Sequence, residues 1–287
     1  MLSTKMTTRI LRSIVSNSVI KKRCICTNNT LLFAKENDLS VFGKICTGYN
    51  QFVTECNLYK EEKLDIFRKD FDCEYYTDKP KIQWQFDGKP DTLEKWIVSC
   101  DSDHNQGFST AKLELSERGT GIFSGVLSTQ VPKDGRIKYA GFCNLSTAPF
   151  MKSFQRKRFV DWTGYTHLAL RVRGDGRQYL VNLHCDKVFD VYDYDAHHYV
   201  LYTRGGPHWQ YVQIPFSKFC HTNKGQMRDT AEPIMFNRIK AFSLTMCDKI
   251  NGPFRLEIDY IGIIHSLIHT EESAYETYLR IVKIEGF

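Results

Sequence analysis

The sequence predicts a mostly β protein, in which a helical segment precedes one β-sandwich or jelly roll. Many short stretches alternate apolar and polar residues with a period of two, and Gly, Asp and Pro separate them. The 287 residues are 42% hydrophobic and 13% aromatic, enough for one large core. We expect an N-terminal segment (1–25), a partly helical extension (26–79), a β-sandwich domain (80–268) and a C-terminal tail (269–287).

The N-terminal segment has the pattern of a mitochondrial transit peptide. Ile10, Leu11 and Ile14 recur at helical spacing, and Arg9 and Arg12 take the opposite face. The arginines interrupt any apolar run long enough for a secretory signal. A disordered basic tail is the alternative, but such a tail needs no periodic apolar face. We expect cleavage near Arg23.

The net positive charge of the chain comes from this segment. The formal net charge is +6, and residues 1–34 hold six basic side chains and no acidic one. The remaining 33 basic residues equal the 33 acidic residues in number. Equal numbers of basic and acidic residues outside the N-terminal segment argue against nucleic-acid binding, which normally requires a basic excess in the folded domain.

One helix is predicted in the extension, over residues 58–71. Its charged sequence, LYKEEKLDIFRKDF, places Leu58, Leu64, Phe67 and Phe71 on one apolar side, whereas residues 36–57 have no clear period. Packing of this helix against the wall of the domain is favoured over binding to a partner.

The β-domain begins at Lys81, where Ile82, Trp84 and Phe86 alternate with polar residues and Asp87-Gly88 ends the run. Gly174-Asp175-Gly176 separates two further alternating runs, which predicts a β-hairpin in LALRVRGDGRQYLVNLH. The other predicted strands cover residues 95–99, 111–115, 121–127, 199–203, 210–214, 238–246 and 255–264.

No stretch of about 18 uncharged apolar residues occurs, so no transmembrane segment is expected. The ten cysteines never form the Cys-x-x-Cys pair of zinc ribbons and thioredoxin-like proteins, and we interpret them as small core residues. The tail contains Glu271, Glu272 and Tyr275 and is predicted to form a short helix.

Three constellations resemble chemical motifs only superficially. A strand runs through the glycine pattern at Gly119, Gly121 and Gly125, which therefore lacks the strand, turn and helix of a nucleotide site. The Arg-Gly-Asp tripeptide is explained by turn chemistry. Carboxylates and histidines crowd into residues 190–198, but interleaved aromatic residues favour a loop with solvated acids over a metal site. We expect no catalytic residue, no metal and no cofactor.

The candidate partner-binding loop follows the strand at 199–203. Two glycines and a proline favour an exposed loop, and Arg and Trp are enriched at interaction hot spots. Trp209 as an inward-facing strand residue is the alternative. The loop residues are Arg204, Gly205, Gly206, Pro207 and Trp209.

Three ordered segments, LRVRGDGRQYLVNL, YTRGGPHWQYVQIPFSKF and NGPFRLEIDYIG, resemble the complex I intermediate-associated protein 30 family. The resemblance covers roughly residues 82–276. It departs from the family pattern at Gln106, which precedes Gly107-Phe108-Ser109 where Gly-Gly-x-Ser is expected. This departure concerns one turn.

The resemblance implies a galactose-binding-like jelly-roll sandwich on the matrix side of the mitochondrial inner membrane. It implies a non-catalytic chaperone that holds membrane-arm intermediates of complex I and works with other assembly factors, including an acyl-CoA dehydrogenase paralogue. Attachment to the membrane would be peripheral and through these partners.

Two other classes of function remain as alternatives. A carbohydrate or small-ligand binding module would stack sugars on exposed aromatic residues, but Trp84 and Trp96 lie in patterns that bury them. An oxidoreductase or hydrolase would need a local motif, and no Gly-x-Ser-x-Gly elbow occurs.

Overall fold

The computed structural model describes residues 41–69, 79–133, 135, 137, 139–186, 195–223, 226–227 and 233–266, with helix side chains for residues 47–64. The predicted transit peptide and C-terminal tail lie outside the described residues. One helix, α1 (Val41–Lys69), precedes fifteen strands in the described part. The strands are β1 (Lys81–Gln85), β2 (Trp96–Cys100), β3 (Thr110–Leu115), β4 (Gly121–Leu127), β5 (Cys143–Thr147), β6 (Met151–Lys152), β7 (Arg156–Lys157), β8 (His167–Arg173), β9 (Gln178–Cys185), β10 (Asp195–Tyr202), β11 (Gln210–Pro215), β12 (Cys220–Asn223), β13 (Gln226–Met227), β14 (Ile239–Met246) and β15 (Gly252–Ile264).

Two antiparallel sheets contain all of these strands except β6 and β7. Sheet A has the order β11-β8-β15-β4-β3, with β1 paired to the far end of β15. Sheet B has the order β13-β12-β10-β9-β14-β5-β2. The inward residues of both sheets form one continuous core. This arrangement confirms the predicted mostly β jelly-roll sandwich with an N-terminal helix.

Aromatic residues fill the centre of the sandwich. The ring of Trp84 lies 5.5 Å from that of Phe242, 6.0 Å from that of Trp162 and 6.1 Å from that of Trp96. All four side chains are buried, as the period-two pattern predicted for Trp84 and Trp96. Aromatic pairs at this spacing contribute edge-to-face and stacking energy beyond area burial.

The predicted hairpin of residues 168–184 is wrong. β8 pairs with β11 and β15 in sheet A, whereas β9 pairs with β10 and β14 in sheet B. The intervening turn crosses from one sheet to the other. Asp175 Oδ2 accepts a 2.7 Å hydrogen bond from the Arg255 N–H, and the Arg177 guanidinium binds both carboxylate oxygens of Asp248. A Cβ at Gly174 would overlap Thr203.

Three local expectations also need correction. The helix begins at Val41, 17 residues before the predicted start at Leu58. A register shift between Ile82 and Trp84 turns Ile82 outward, where it is exposed. Strands β5, β6, β7, β12 and β13 were not predicted; all of them except β5 have two to four residues, too few to show an alternating period.

A buried carboxylate holds the turn that contains Gln106, the residue at which the sequence departs from the family pattern. Asp101 is fully buried and accepts 2.8 Å hydrogen bonds from the Ser109 and Gly141 N–H groups. A Cβ at Gly107 would overlap this carboxylate. The required glycine is therefore Gly107, and Gln106 is exposed beside it.

The glycine-rich segment at 119–125 contains strand β4, as expected, and Gly121 and Gly125 sit where Phe86 and Thr110 leave no room for a Cβ.

Within the described part, α1 is too polar to cross a membrane. Cys100 of β2 and Cys143 of β5 lie opposite each other as buried free thiols.

Stability should decrease as the pH falls below neutrality. Burial lowers the pKa of His184 to about 4 and that of His198 to about 4, below the ordinary 6.5. Their neutral forms stabilise the fold above about pH 6.5, and this contribution is lost as the pH falls towards 4. At about pH 5 each histidine should cost about 2 kcal/mol.

Urea unfolding at about pH 7.5 and pH 5 measures this loss. His198→Gln should flatten the pH dependence, because it removes one of the two groups whose pKa is lowered by burial. Equal unfolding midpoints at both pH values would contradict the prediction.

Candidate functional site

Two arginines of β8 lie on the outer face of sheet A. Leu170 and Val172 are buried in the core, so the alternation of the strand turns Arg171 and Arg173 away from it. The neighbouring strands β11 and β15 supply the residues opposite these arginines. Charged and aromatic side chains from these strands and from the loop before β11 meet in the centre of this outer face.

Arg173 forms an ion pair with a buried carboxylate. Glu257 lies directly opposite Arg173 on β15 and its side chain is 2% exposed. Both Nε and the terminal nitrogen of Arg173 donate to Glu257 Oε2, with Nε at 3.0 Å, and the Thr120 hydroxyl donates to Oε1 at 2.5 Å. Burial raises the pKa of Glu257, but these hydrogen bonds outweigh it and hold the pKa below its usual value.

Arg171 pairs with Asp259, and their side-chain N–O distance is 2.6 Å. A register shift between Ile258 and Tyr260 leaves Asp259 without a partner residue in the β8 ladder. Asp259 follows Glu257 by two residues and so lies on the same outer side of β15, with its carboxylate at Arg171.

Two aromatic rings stack against the arginines. The Arg171 guanidinium lies 4.9 Å from the centre of the Trp209 ring and 5.2 Å from that of Tyr211. Arg173 lies 5.2 Å from the same Trp209 ring. Cation–π contacts at these distances restrict the side chains while leaving part of each ring accessible. We refer to this set as the arginine–aromatic face: Arg171, Arg173, Trp209, Tyr211, Glu257 and Asp259.

The candidate loop at 204–209 borders the arginine–aromatic face. Arg204, Gly205, Gly206 and Pro207 are exposed, and Trp209 is half-buried. The Pro207 carbonyl accepts a 3.3 Å hydrogen bond from Arg173. The alternative in which Trp209 points into the core is wrong, because the ring covers outward-facing arginines. The loop is therefore attached to the outer face of sheet A.

A cavity of about 270 Å³ lies between the loop and the sheet crossover. Its walls include Asp175, Gly206, Pro207, Arg255 and Glu257. An open groove of about 600 Å³ continues over β3, β4 and the start of β15, also in contact with Arg255. Both concavities offer charged and apolar surface to a protein segment, and their lining contains no nucleophile and base held in contact.

The acidic stretch at 190–198 does not form the solvated loop that the sequence predicted, so far as the structure describes it. Asp190 and Asp193 lie outside the described residues. Asp195 and His197 begin strand β10 and are buried, and Asp195 Oδ2 lies 3.5 Å from His221 Nε2 on β12. The described part of the chain contains no group of three or more His, Cys, Asp or Glu side chains arranged for a metal ion.

Sequence reasoning located the loop but missed the charged residues beneath it. Arg171 and Arg173 are two residues apart, and so are Glu257 and Asp259. Matching charges at every second position of two strands are the signal for cross-strand ion pairs. This signal could not be used without knowing that β8 and β15 are neighbours.

The fold and this surface define a jelly-roll β-sandwich protein with an arginine–aromatic outer face. The chain belongs to the Complex I intermediate-associated protein 30 family, whose profile matches residues 84–258. Five of the six residues of the arginine–aromatic face lie within the matched region, and Asp259 and α1 lie outside it.

Named relatives support this membership. The Drosophila melanogaster protein "Complex I intermediate-associated protein 30, mitochondrial" is 44% identical over 236 residues, which are 82% of this chain and 79% of the relative. The mouse protein of the same name is 40% identical over 71% of this chain. The match spans 62% of the mouse protein and 61% of a Caenorhabditis elegans relative.

Solved structures of similar shape include carbohydrate-binding modules from Clostridium thermocellum. A family 11 module of a cellulosomal cellulase is 15% identical, with a TM-score of 0.47 over 67% of this chain and 98% of the module. A family 30 module is 14% identical, with a TM-score of 0.37 over 67% of this chain and 96% of the module. Similarity at this level gives no argument about what this chain binds.

Glu257→Ala should destabilise the fold by roughly 3 kcal/mol, because it leaves the Arg173 guanidinium and the Thr120 hydroxyl without their buried acceptor. Urea unfolding at neutral pH measures the change. Glu114→Ala is the matched control, since Glu114 forms an exposed pair with Lys112 on the same face and should cost no more than about 0.5 kcal/mol. An equal loss of stability in the two variants would contradict the role of Glu257 as a buried acceptor.

Proposed function

We propose that this chain is a non-catalytic assembly factor for mitochondrial respiratory complex I, which holds membrane-arm intermediates through the arginine–aromatic face and the loop at 204–209. The observation that carries the proposal is the family match over residues 84–258, which contains most of this face. Relatives 40–44% identical are named as associated with complex I intermediates and as mitochondrial.

The chemistry of the face suits protein recognition. Arg and Trp supply stacking area and hydrogen-bond donors, and they are enriched among residues that dominate interface energies. Glu257 and Asp259 compensate the two arginines, so the face does not attract polyanions in general. Recognition would depend on shape, stacking and directed hydrogen bonds, which a chaperone can use without an activated side chain.

The proposed location is the mitochondrial matrix, on the matrix side of the inner membrane. Residues 1–25 would direct import, and attachment to the membrane would be peripheral, through partner proteins. The partners would be membrane-arm intermediates and other assembly factors, including an acyl-CoA dehydrogenase paralogue.

Removal of the chain should decrease mature complex I while other respiratory complexes persist. A native gel of mitochondria from cells that lack the chain, stained for NADH dehydrogenase activity and probed for membrane-arm subunits, measures this effect. Stalled subassemblies and recovery on re-expression are expected. Normal amounts of complex I in those mitochondria would refute the proposed function.

Trp209→Ala should impair this rescue without unfolding the protein, because it removes the ring that covers both arginines from the outside of the sandwich. Rescue of complex I and the thermal midpoint of the purified variant are measured together. Tyr202→Ala is the control, since Tyr202 is 63% exposed on sheet B. Full rescue by Trp209→Ala would exclude the arginine–aromatic face as the partner surface.

A carbohydrate-binding module on the same sandwich is the alternative. Trp84, Trp96 and Trp162 are buried in the core and present no ring to a sugar. This leaves Trp209, whose ring already contacts two guanidinium groups. Calorimetric binding of common sugars that disappears in Trp209→Ala would favour this alternative.

A further inference from the structure

The short hairpin of β6 and β7 lies outside both sheets and has a strained turn. Phe154 has φ 58° and ψ 34°, and Gln155 has φ 55°. Residues other than glycine rarely adopt this left-handed backbone conformation. Phe154 and Gln155 are the central residues of a hairpin turn closed by the Arg156 N–H and the Ser153 carbonyl, and without glycine such a turn persists because surrounding contacts hold it.

The turn presents a set of hydrogen-bond donors. The N–H groups of Ser153 and Phe154 are consecutive and both donate to carboxylates. Arg156 is fixed beside them, because its Nε donates to the Ser153 carbonyl at 3.0 Å and a terminal nitrogen donates to the Ser153 hydroxyl at 2.6 Å. Consecutive N–H groups in a left-handed turn form an anion-binding nest, to which Arg156 adds a positive charge.

Helix α1 fills this nest with two carboxylates. Glu62 accepts from the Ser153 N–H at 2.5 Å and from Arg156 at 2.7 Å, and Glu55 accepts from the Phe154 N–H at 2.6 Å. Seven residues separate the two glutamates, which places them on one face of the helix two turns apart. Slight burial raises the pKa of Glu62, but the hydrogen bonds from Ser153 and the charge of Arg156 hold it below its usual value.

Aromatic contacts surround the carboxylates but bury little surface. The Phe154 ring lies 6.2 Å from that of Phe52 and 6.5 Å from that of Tyr59. Phe154 nevertheless remains 47% exposed and Phe52 58% exposed. Among the described side chains of α1, charged hydrogen bonds at the surface are therefore the main attachment, and a contact of this kind opens more easily than a packed core element.

We propose that the hairpin at 151–157 is a receptor for an acidic amphipathic helix of a partner protein, and that α1 is an intramolecular ligand which the partner helix displaces. The partner helix would carry two carboxylates seven residues apart with aromatic residues on the same side, as α1 does with Glu55, Glu62, Phe52 and Tyr59. Three features of the hairpin favour such a helix. The N–H groups of Ser153 and Phe154 and the charge of Arg156 suit its carboxylates, and the exposed Phe154 ring suits its aromatic residues. The proposal does not depend on the role in complex I assembly.

The first experiment releases the helix in the full chain. Glu55→Gln combined with Glu62→Gln removes both carboxylate charges, and the Ser153 and Phe154 amides should then exchange with deuterium on the order of tenfold faster. Glu61→Gln is the matched control, because Glu61 is exposed on another side of α1. Unchanged exchange in the double variant would show that the carboxylates do not hold the helix, and would overturn the proposal.

The second experiment supplies the ligand in trans. The probe is a fluorescent peptide with the sequence of residues 47–64, titrated into the full chain and followed by anisotropy. The peptide should bind the released variant on the order of tenfold more tightly than the unaltered chain, because the internal helix no longer competes. Adding Arg156→Ala to the released variant should abolish binding, whereas adding Lys157→Ala should not.

Two further results would overturn the proposal. The first is absence of peptide binding to the released variant, or equal binding with and without Arg156→Ala. The second is a dimer of the unaltered chain, seen by sedimentation and dissociated by the peptide, because the displacing helix would then belong to a second copy of this chain. Neither result bears on the native-gel test, so the two proposals can fail separately.

Discussion

The packing of Trp84 between the two sheets is the interaction on which the rest of the structure depends. Trp84 comes from β1, which joins sheet A at the far end of β15, and its ring contacts Trp96 and Phe242 of sheet B. Trp162, fully buried, extends the aromatic cluster to Phe216 at 5.8 Å. Because large rings fill the space between the sheets, the backbone of each strand is fixed and its outward residues have defined positions.

The arginine–aromatic face follows from this constraint. With Leu170 and Val172 held in the core, Arg171 and Arg173 must point outward, and β15 places Glu257 and Asp259 within reach. Burial of Glu257 is tolerated because Thr120 and Arg173 satisfy its oxygens. A rigid sheet with compensated charges provides preorganised donors and rings, which limits the entropy that binding would cost.

The helix contact is of a different physical kind. The outer face of sheet A is supported by a packed core, whereas α1 is attached through surface carboxylates to a strained turn outside both sheets. The first surface suits stable recognition, and the second suits exchange between ligands.

The sequence by itself determined the β-sandwich class, the burial of Trp84 and Trp96, the exposed loop at 204–207 and the family, because alternation, turn residues and ordered motifs are local in the chain. It did not determine which sheet each strand joins. Residues 168–172 and 179–183 both alternate correctly, yet they belong to different sheets and do not pair. Alternation reports only which side chains point inward, and it is identical for a hairpin and for a crossover. The ion pairs of Arg171 and Arg173, the outward stacking of Trp209 and the attachment of α1 to Ser153 required the tertiary structure, because each joins residues whose separation in sequence carries no information about their distance in space.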